Sequence, residues 1–298
     1  MDNSSNPPRP PAQGPKPRPG RPGKPAWGAK NFGRGAPHRG PKKPGPRGGA
    51  GMADLPEGRV VLYGWHSVVE ALRNPNRRAV RLMVTENALR RLEETLGTLA
   101  IAPEMVAAHD ITRLLEPDAV HQGLYLEADS LDSLDFDDLP DDALLLALDQ
   151  ITDPHNVGAI VRTAAAFGVT AILTTARHSP AVTGVLAKAA SGGLEHVPFL
   201  VVRNLSDALD DLGRRGYRRI GLDSEGSAPL PSIGAPRPLV LVLGAEGKGL
   251  RQRTRDNCDV VARLDLPGTI KSLNVSNAAA IALYAVVPST DGGGAKAP

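Results

Sequence analysis

Between Ala143 and Val287 the chain alternates short, wholly apolar runs with longer stretches whose apolar residues recur every three to four positions. Ala143-Leu-Leu-Leu-Ala-Leu148 and Leu239-Val-Leu-Val-Leu243 contain no polar residue at all. Runs this short and this uniform read as strands covered on both faces. Similar strands are expected at Val169–Thr174, His196–Val202, Tyr217–Leu222 and Val260–Leu264. Helices are expected at Val157–Phe167, Ala181–Ala190, Leu205–Arg214 and Ala278–Val287. Strands alternating with helices predict an α/β fold with a parallel sheet covered on both sides. Ligands of such sheets sit at the carboxyl ends of the strands.

The preceding stretch has a different rhythm. Val60–Tyr63, Val80–Val84 and Gly123–Glu127 read as strands. Helices are expected from Gly64 to Leu72, where Asn74-Pro75 stops the chain, and from Asn87 to about Leu99. A short helix follows Asp110, which is placed to cap it, with Leu114 and Leu115 facing inward. The pattern predicts a small α/β domain over residues 57–128. An acidic linker with Pro140 follows over 129–142, then the larger domain over 143–290.

Composition changes the picture at the ends. Residues 1–51 contain 13 Pro and 11 Gly, with eleven Lys/Arg against one acid, a net charge of +10. The remaining 24 basic and 31 acidic residues give −7, so the overall +3 averages two opposite regions. A segment so poor in apolar side chains cannot offset its ordering entropy by burial, and residues 1–56 and 291–298 are expected to be disordered. The basic tail reads either as an electrostatic tether to RNA, with Trp27 and Phe32 able to stack on bases, or as a solubilising extension. No apolar run approaches the roughly 18 residues of a membrane span. A single cysteine, Cys258, excludes an internal disulfide, and the seven His are scattered with no metal-binding spacing. Cytoplasmic location without membrane or metal is the expectation.

Three polar segments fall at strand exits. In the first, Asp153-Pro154 turns the chain after a strand, Asn156 is placed to cap the next helix, and Gly158 permits close backbone approach. Arg162 follows among Ile160, Val161, Ala164 and Ala165, where it needs an anion or a carboxylate. In the second, Leu243-Gly-Ala-Glu-Gly-Lys-Gly-Leu250 joins a strand to a helix. Its spacing fits neither a Walker A loop nor G-x-G-x-x-G. A glycine loop carrying one acid, Glu246, suits an uncharged or cationic ligand better than a pyrophosphate. In the third, Ser272-Leu-Asn-Val-Ser276 opens the last helix. Taken singly, each is as readily a cap, an ion pair or a tight turn. Together they favour group transfer from a bound organic cofactor.

The three segments, in this order, resemble the motifs of the SpoU (TrmH-like) RNA ribose 2′-O-methyltransferases of the SPOUT superfamily, over about Leu144 to Val287. The front domain, with Tyr63-Gly-Trp-His66 and His121-Gln-Gly123, resembles the L30-like substrate-binding domain of the 23S rRNA guanosine 2′-O-methyltransferase branch. The resemblance implies a C-terminal trefoil knot, a homodimer and S-adenosyl-L-methionine as cofactor. It places Gly244, Leu266 and Leu273 at the cofactor through their backbone. It also implies that Glu246, Ser272 and Asn274 shape the site and that Asn156 and Arg162 face the target ribose and its phosphate. The implied reaction is attack of the ribose 2′-hydroxyl on the sulfonium methyl. Arg162 is either the base or a positioning group, and a guanidinium is a reluctant base, which favours the positioning role. The substrate is expected to be rRNA. Methylation of tRNA and non-catalytic RNA binding in ribosome assembly are the alternatives. Relatives often carry a longer Pro-Met-x-Gly-x-Val loop where this chain has only Pro267-Gly-Thr-Ile-Lys271.

Overall fold

Strand β5 (Leu144–Asp149) shows how the apolar runs build the molecule. Every one of its residues is buried, and they divide by parity. Leu144, Leu146 and Leu148 enter one core, while Leu145 and Ala147 enter another. Strand β10 (Leu239–Gly244) repeats the division, with Leu239, Leu241 and Leu243 on the first side and Val240 and Val242 on the second. A period-two strand buried on both faces needs both cores. Each fully buried Leu contributes about 1.5–3 kcal/mol relative to leaving it in water.

The computed structural model describes residues 56, 58–177 and 182–287. The two tails expected to be disordered lie outside the described residues, save Pro56.

Residues 59–129 form a four-stranded sheet. Its elements are β1 (Arg59–Tyr63), α1 (Trp65–Arg73), β2 (Ala79–Val84), α2 (Glu86–Leu96), β3 (Pro103–Met105), α3 (Ala108–Leu114) and β4 (Leu124–Asp129). The order is β1-β4-β2-β3, with β4 antiparallel to both neighbours and β3 parallel to β2. Helix α2 stops at Leu96, short of the expected Leu99, because Gly97 takes a left-handed φ of 71°. Asp110 is not the cap of α3. It lies inside the first turn and accepts from the Ala107 amide at 3.2 Å.

The remaining elements are α4 (Pro154–Ala166), β6 (Ala171–Thr175), α5 (Gly184–Ala190), β7 (Phe199–Val202), α6 (Leu205–Arg214), β8 (Arg218–Leu222), β9 (Ala228–Pro229), α7 (Gln252–Asp256), β11 (Val260–Arg263) and α8 (Val275–Val286). With β5 and β10 they make a seven-stranded, wholly parallel sheet in the order β7-β6-β5-β10-β8-β11-β9. Helices α4, α5 and α8 cover the first core, and α6 the second. The stretch between the sheets does more than connect them: Leu134, Phe136 and Leu139 pack against the second core.

The two sheets meet through α5 and the 3₁₀ turn Gly193–Glu195. Arg77 donates to both Glu195 oxygens, Nη2 to Oε1 at 2.7 Å and Nε to Oε2 at 3.0 Å, with side chains 3% and 2% exposed. Asn74 adds a bond to Glu195 at 2.8 Å, and the Arg77 Nη1 reaches the Asp129 carbonyl at 2.8 Å. Ser67 Oγ donates to the Ala187 carbonyl, and Gln122 Oε1 accepts from the Trp65 amide and from Lys188 Nζ.

Candidate active site at the carboxyl edge of the parallel sheet

The glycine loop leaving β10 folds back on itself. The Gly249 amide donates to the Ala245 carbonyl at 2.9 Å, and Gly247 and Gly249 take φ values of 75° and 63°. A Cβ on Gly244 would stand 2.2 Å from the Gly249 carbonyl carbon. Only glycine allows that return, and the return carries Glu246 to the start of α8.

Asp153, not Asn156, caps α4, accepting from the His155 amide at 3.1 Å with Pro154 in the first turn. Asn156 thereby lies three positions past the cap, and its side chain is released toward Glu246. Asn274 caps α8 by accepting from the Ser276 amide at 2.9 Å, so that helix begins at Val275 rather than at the expected Ala278.

These three side chains converge. Glu246 Oε1 accepts from Asn156 Nδ2 at 3.2 Å, from Asn274 Nδ2 at 2.7 Å and from the Val275 amide at 3.2 Å. Asn274 Nδ2 also donates to Asn156 Oδ1 at 2.9 Å. The carboxylate thus satisfies a free N–H at the positive end of α8, where a negative charge is stabilised. Residues 118 positions apart are locked into one polar cluster.

Beside this cluster lies a cavity of about 420 Å³ over the ends of β8, β10 and β11. Gly244, Leu266 and Leu273 all line it, as do Glu246 and Ser272. Leu222, Leu243, Leu264 and Val275 supply apolar wall, and Asp223, Glu225 and Glu246 supply carboxylates. Lys271 Nζ donates to the Leu266 carbonyl at 2.7 Å, closing the short loop Pro267–Lys271 across its mouth. Lys248, Arg255 and Lys271 line it as well, so its charges balance, and the arrangement offers apolar wall and backbone edges to an organic ligand.

Asp223 and Arg255, ion-paired at the cavity wall, are the residues that sequence reading missed. Asp223 is the first residue past β8, a strand exit, which is the signal that could have found it. Arg162 stands apart from the cluster. The buried stripe of α4 is Val157, Ile160, Val161 and Ala164, a run of three- and four-residue steps. Arg162 falls off that period and is exposed. It makes no hydrogen bond or ion pair among the described residues. Six positions beyond Asn156, it stands about 9 Å further along the helix and on another side. The chain's own fold does not bring it to the Asn156–Glu246–Asn274 cluster. His155 is exposed and uses only its backbone amide.

Comparison with known proteins decides the family. The model described as the SpoU rRNA Methylase family matches residues 143–284, and the RNA 2′-O ribose methyltransferase substrate-binding model matches residues 61–134. The chain is 36% identical over 236 residues to the 23S rRNA (guanosine-2′-O-)-methyltransferase RlmB of Coxiella burnetii, covering 76% of this chain and 94% of that one. The chain belongs to the SpoU family of RNA ribose 2′-O-methyltransferases. Among solved structures, a putative RNA methyltransferase of the TrmH family from Porphyromonas gingivalis is similar at 27% identity and a TM-score of 0.62, covering 77% of this chain and 89% of that chain. The SpoU methyltransferase AviRb of Streptomyces viridochromogenes, solved in complex with AdoMet, shares the fold with a TM-score of 0.65 at 22% identity, over the same shares of the two chains. Among the described residues of this SpoU methyltransferase no cluster of His, Cys, Asp and Glu could hold a metal, and no helix is long and apolar enough to cross a membrane.

Proposed function

We propose that this SpoU methyltransferase transfers the methyl group of S-adenosyl-L-methionine to the 2′-hydroxyl of a guanosine ribose in 23S rRNA. The observation that carries the reading is the convergence of Asn156, Glu246 and Asn274 beside a cavity of the size and mixed lining of an organic-cofactor site. Similarity to the RlmB relative, matched over nearly its whole length, supports that substrate.

The residues fit the cofactor. The cavity falls within the roughly 300–1,000 Å³ typical of small-molecule sites. Residues Gly244, Leu266 and Leu273 border it, and apolar wall comes from Leu222, Leu243, Leu264 and Val275. The Glu225 carboxylate, without a partner among the described residues, is open to a positive group of the ligand. When bound, S-adenosylmethionine supplies an electrophilic methyl. The chain's part is positioning and exclusion of water. Glu246 fixes both asparagine amides, Asn156 and Ser272 border the acceptor ribose, and Arg162 engages the target phosphate or helps remove the hydroxyl proton. The positioning role suits a guanidinium better.

Arg162 has no partner among the described residues, and Ile281 and Tyr284 of α8 are 45% and 73% exposed. Both features support a homodimer in which α4 and α8 meet the second subunit. The family reading adds a trefoil knot at the cofactor loops, an L30-like front domain and cytoplasmic action.

The test is radiolabelled methyl transfer to 23S rRNA that lacks the modification, with tRNA alongside. Label in the rRNA that is lost with Arg162→Ala, while S-adenosylmethionine binding persists, is expected. Label in tRNA alone would replace the substrate, and tight RNA binding without transfer would leave a non-catalytic protein.

A further inference from the structure

The methyl-transfer cavity has a neighbour. On the other side of α7 lies a second cavity of about 550 Å³, over the exits of β6 and β7. Arg177, Arg203, Arg251 and Arg253 line it, and Asp207 is its one carboxylate. The arginines arrive from three separate strand exits, so no local periodicity explains their meeting.

Their partners are few. Arg251 is anchored: its amide and Nε donate to the two oxygens of the fully buried Asp149, at 3.0 and 2.7 Å. That anchor leaves its Nη atoms without a bond among the described residues. Arg253 reaches Asp207 at only 3.5 Å, and Asp207 already accepts from Asn204. Arg177 and Arg203 are exposed and make no hydrogen bond or ion pair among the described residues. With Arg251 and Arg253 each beside one carboxylate, Arg177 and Arg203 add two positive charges to the concavity that an anion would offset. The amino end of α6, capped by Asn204, adds its partial positive charge to the same wall.

The occupant follows from the chemistry and the place. Planar guanidinium forks match phosphate oxygens, and their spread over three loops suits successive phosphates better than one ion. Helix α7 divides the two cavities, with Arg253 facing the arginine side and Arg255 the methyl-transfer side. A helix with its side chains is about 10–12 Å across, which sets the scale of the separation. We infer that the arginine cavity holds backbone phosphates of the RNA strand adjoining the ribose to be methylated. This rests on the proposal that RNA is the substrate. Phosphate contacts of this kind set register and carry no sequence information.

The test uses the full chain carrying Arg177→Glu and Arg203→Glu together, both exposed, with thermal melting to show that the fold is kept. Binding of an unmodified 23S rRNA fragment is measured across salt concentrations. Affinity is expected to fall by at least about tenfold, two charge-assisted contacts being lost. The plot of log K against log salt is expected to flatten by roughly 1.5 to 2. KM for RNA should rise while kcat and KM for S-adenosylmethionine hold, and the Arg177→Lys, Arg203→Lys chain should recover most of the salt slope. Unchanged affinity and slope in the glutamate chain overturn the inference. So does saturable binding of inorganic phosphate that the glutamate substitutions abolish while RNA affinity stays whole. Wild type that methylates no RNA but loses RNA binding on substitution refutes the proposed activity and leaves this site standing. Normal transfer and binding by the substituted chain does the reverse.

Discussion

One oxygen of Glu246 receives three donors, and that crowding gives the residue its expected phenotype. Glu246→Ala removes the acceptor that orients Asn156 and Asn274. Misplaced amides at a reacting centre cost on the order of a hundredfold in rate. Steady-state kinetics should therefore show kcat reduced by about that factor, with the melting temperature nearly unchanged because the group is exposed. Arg162→Ala should separate the two effects further. An exposed arginine without internal partners contributes within about 0.5 kcal/mol to stability, so loss of transfer there cannot come from unfolding. Cys258 makes the opposite case. Burial pushes its thiol up to about 12, so it is neutral at ordinary pH. Iodoacetamide at pH 8 should leave the native protein unlabelled and react only after denaturation. At this scale the sequence singled out Asn156, Glu246 and Asn274, which the fold brings together, but not their offices. Asn156 read as a cap because nothing in the sequence says that Asp153 takes that post first. Arg162 read as needing an anion or a carboxylate because its sequence neighbours are apolar, yet they lie on another face of α4.

At the scale of elements, glycines set the site. Gly244→Ala would press a methyl into the Gly249 backbone and open the loop that delivers Glu246. Calorimetric titration should show S-adenosylmethionine affinity weakened by at least about tenfold, since overpacking costs about 1–3 kcal/mol. Gly158 plays the equivalent part for α4, where a Cβ would stand 2.5 Å from the Ala189 Cβ and 2.6 Å from the Leu186 carbonyl oxygen of α5. The continuous apolar strands were legible because burial on both faces leaves an unmixed composition. Strands β3 and β9, three and two residues long, carry no periodicity to read. Helix α8 starts three residues earlier than its apolar run because Asn274, and not the first alanine, supplies the cap.

At the scale of the molecule, the front sheet and the parallel sheet are joined by a buried ion pair that no local pattern announces, since Arg77 and Glu195 lie 118 residues apart. Glu195→Ala leaves Arg77 uncompensated in a dry interface and should cost about 3–5 kcal/mol, read as a lowered urea midpoint. The turn bearing Glu195 also packs on the α4 backbone at Arg162, since a Cβ on Gly193 would stand 3.2 Å from the Arg162 Cα. Damage to the interface should therefore reach the rate as well as the stability. The parallel sheet and the single edge bearing all three motifs were legible in the sequence. The arginine cavity was not, because its walls come from three distant loops. Deleting residues 1–51 removes a charge of +10 and should flatten the salt dependence of RNA binding, with an unchanged slope assigning the tail another role. The most direct test of the central claim is nucleoside mass spectrometry of unmodified 23S rRNA incubated with S-adenosylmethionine and the full chain. A single new 2′-O-methylguanosine, absent with Glu246→Ala, is the predicted result. Methylation on a base, or ribose methylation that persists without Glu246, would contradict the account.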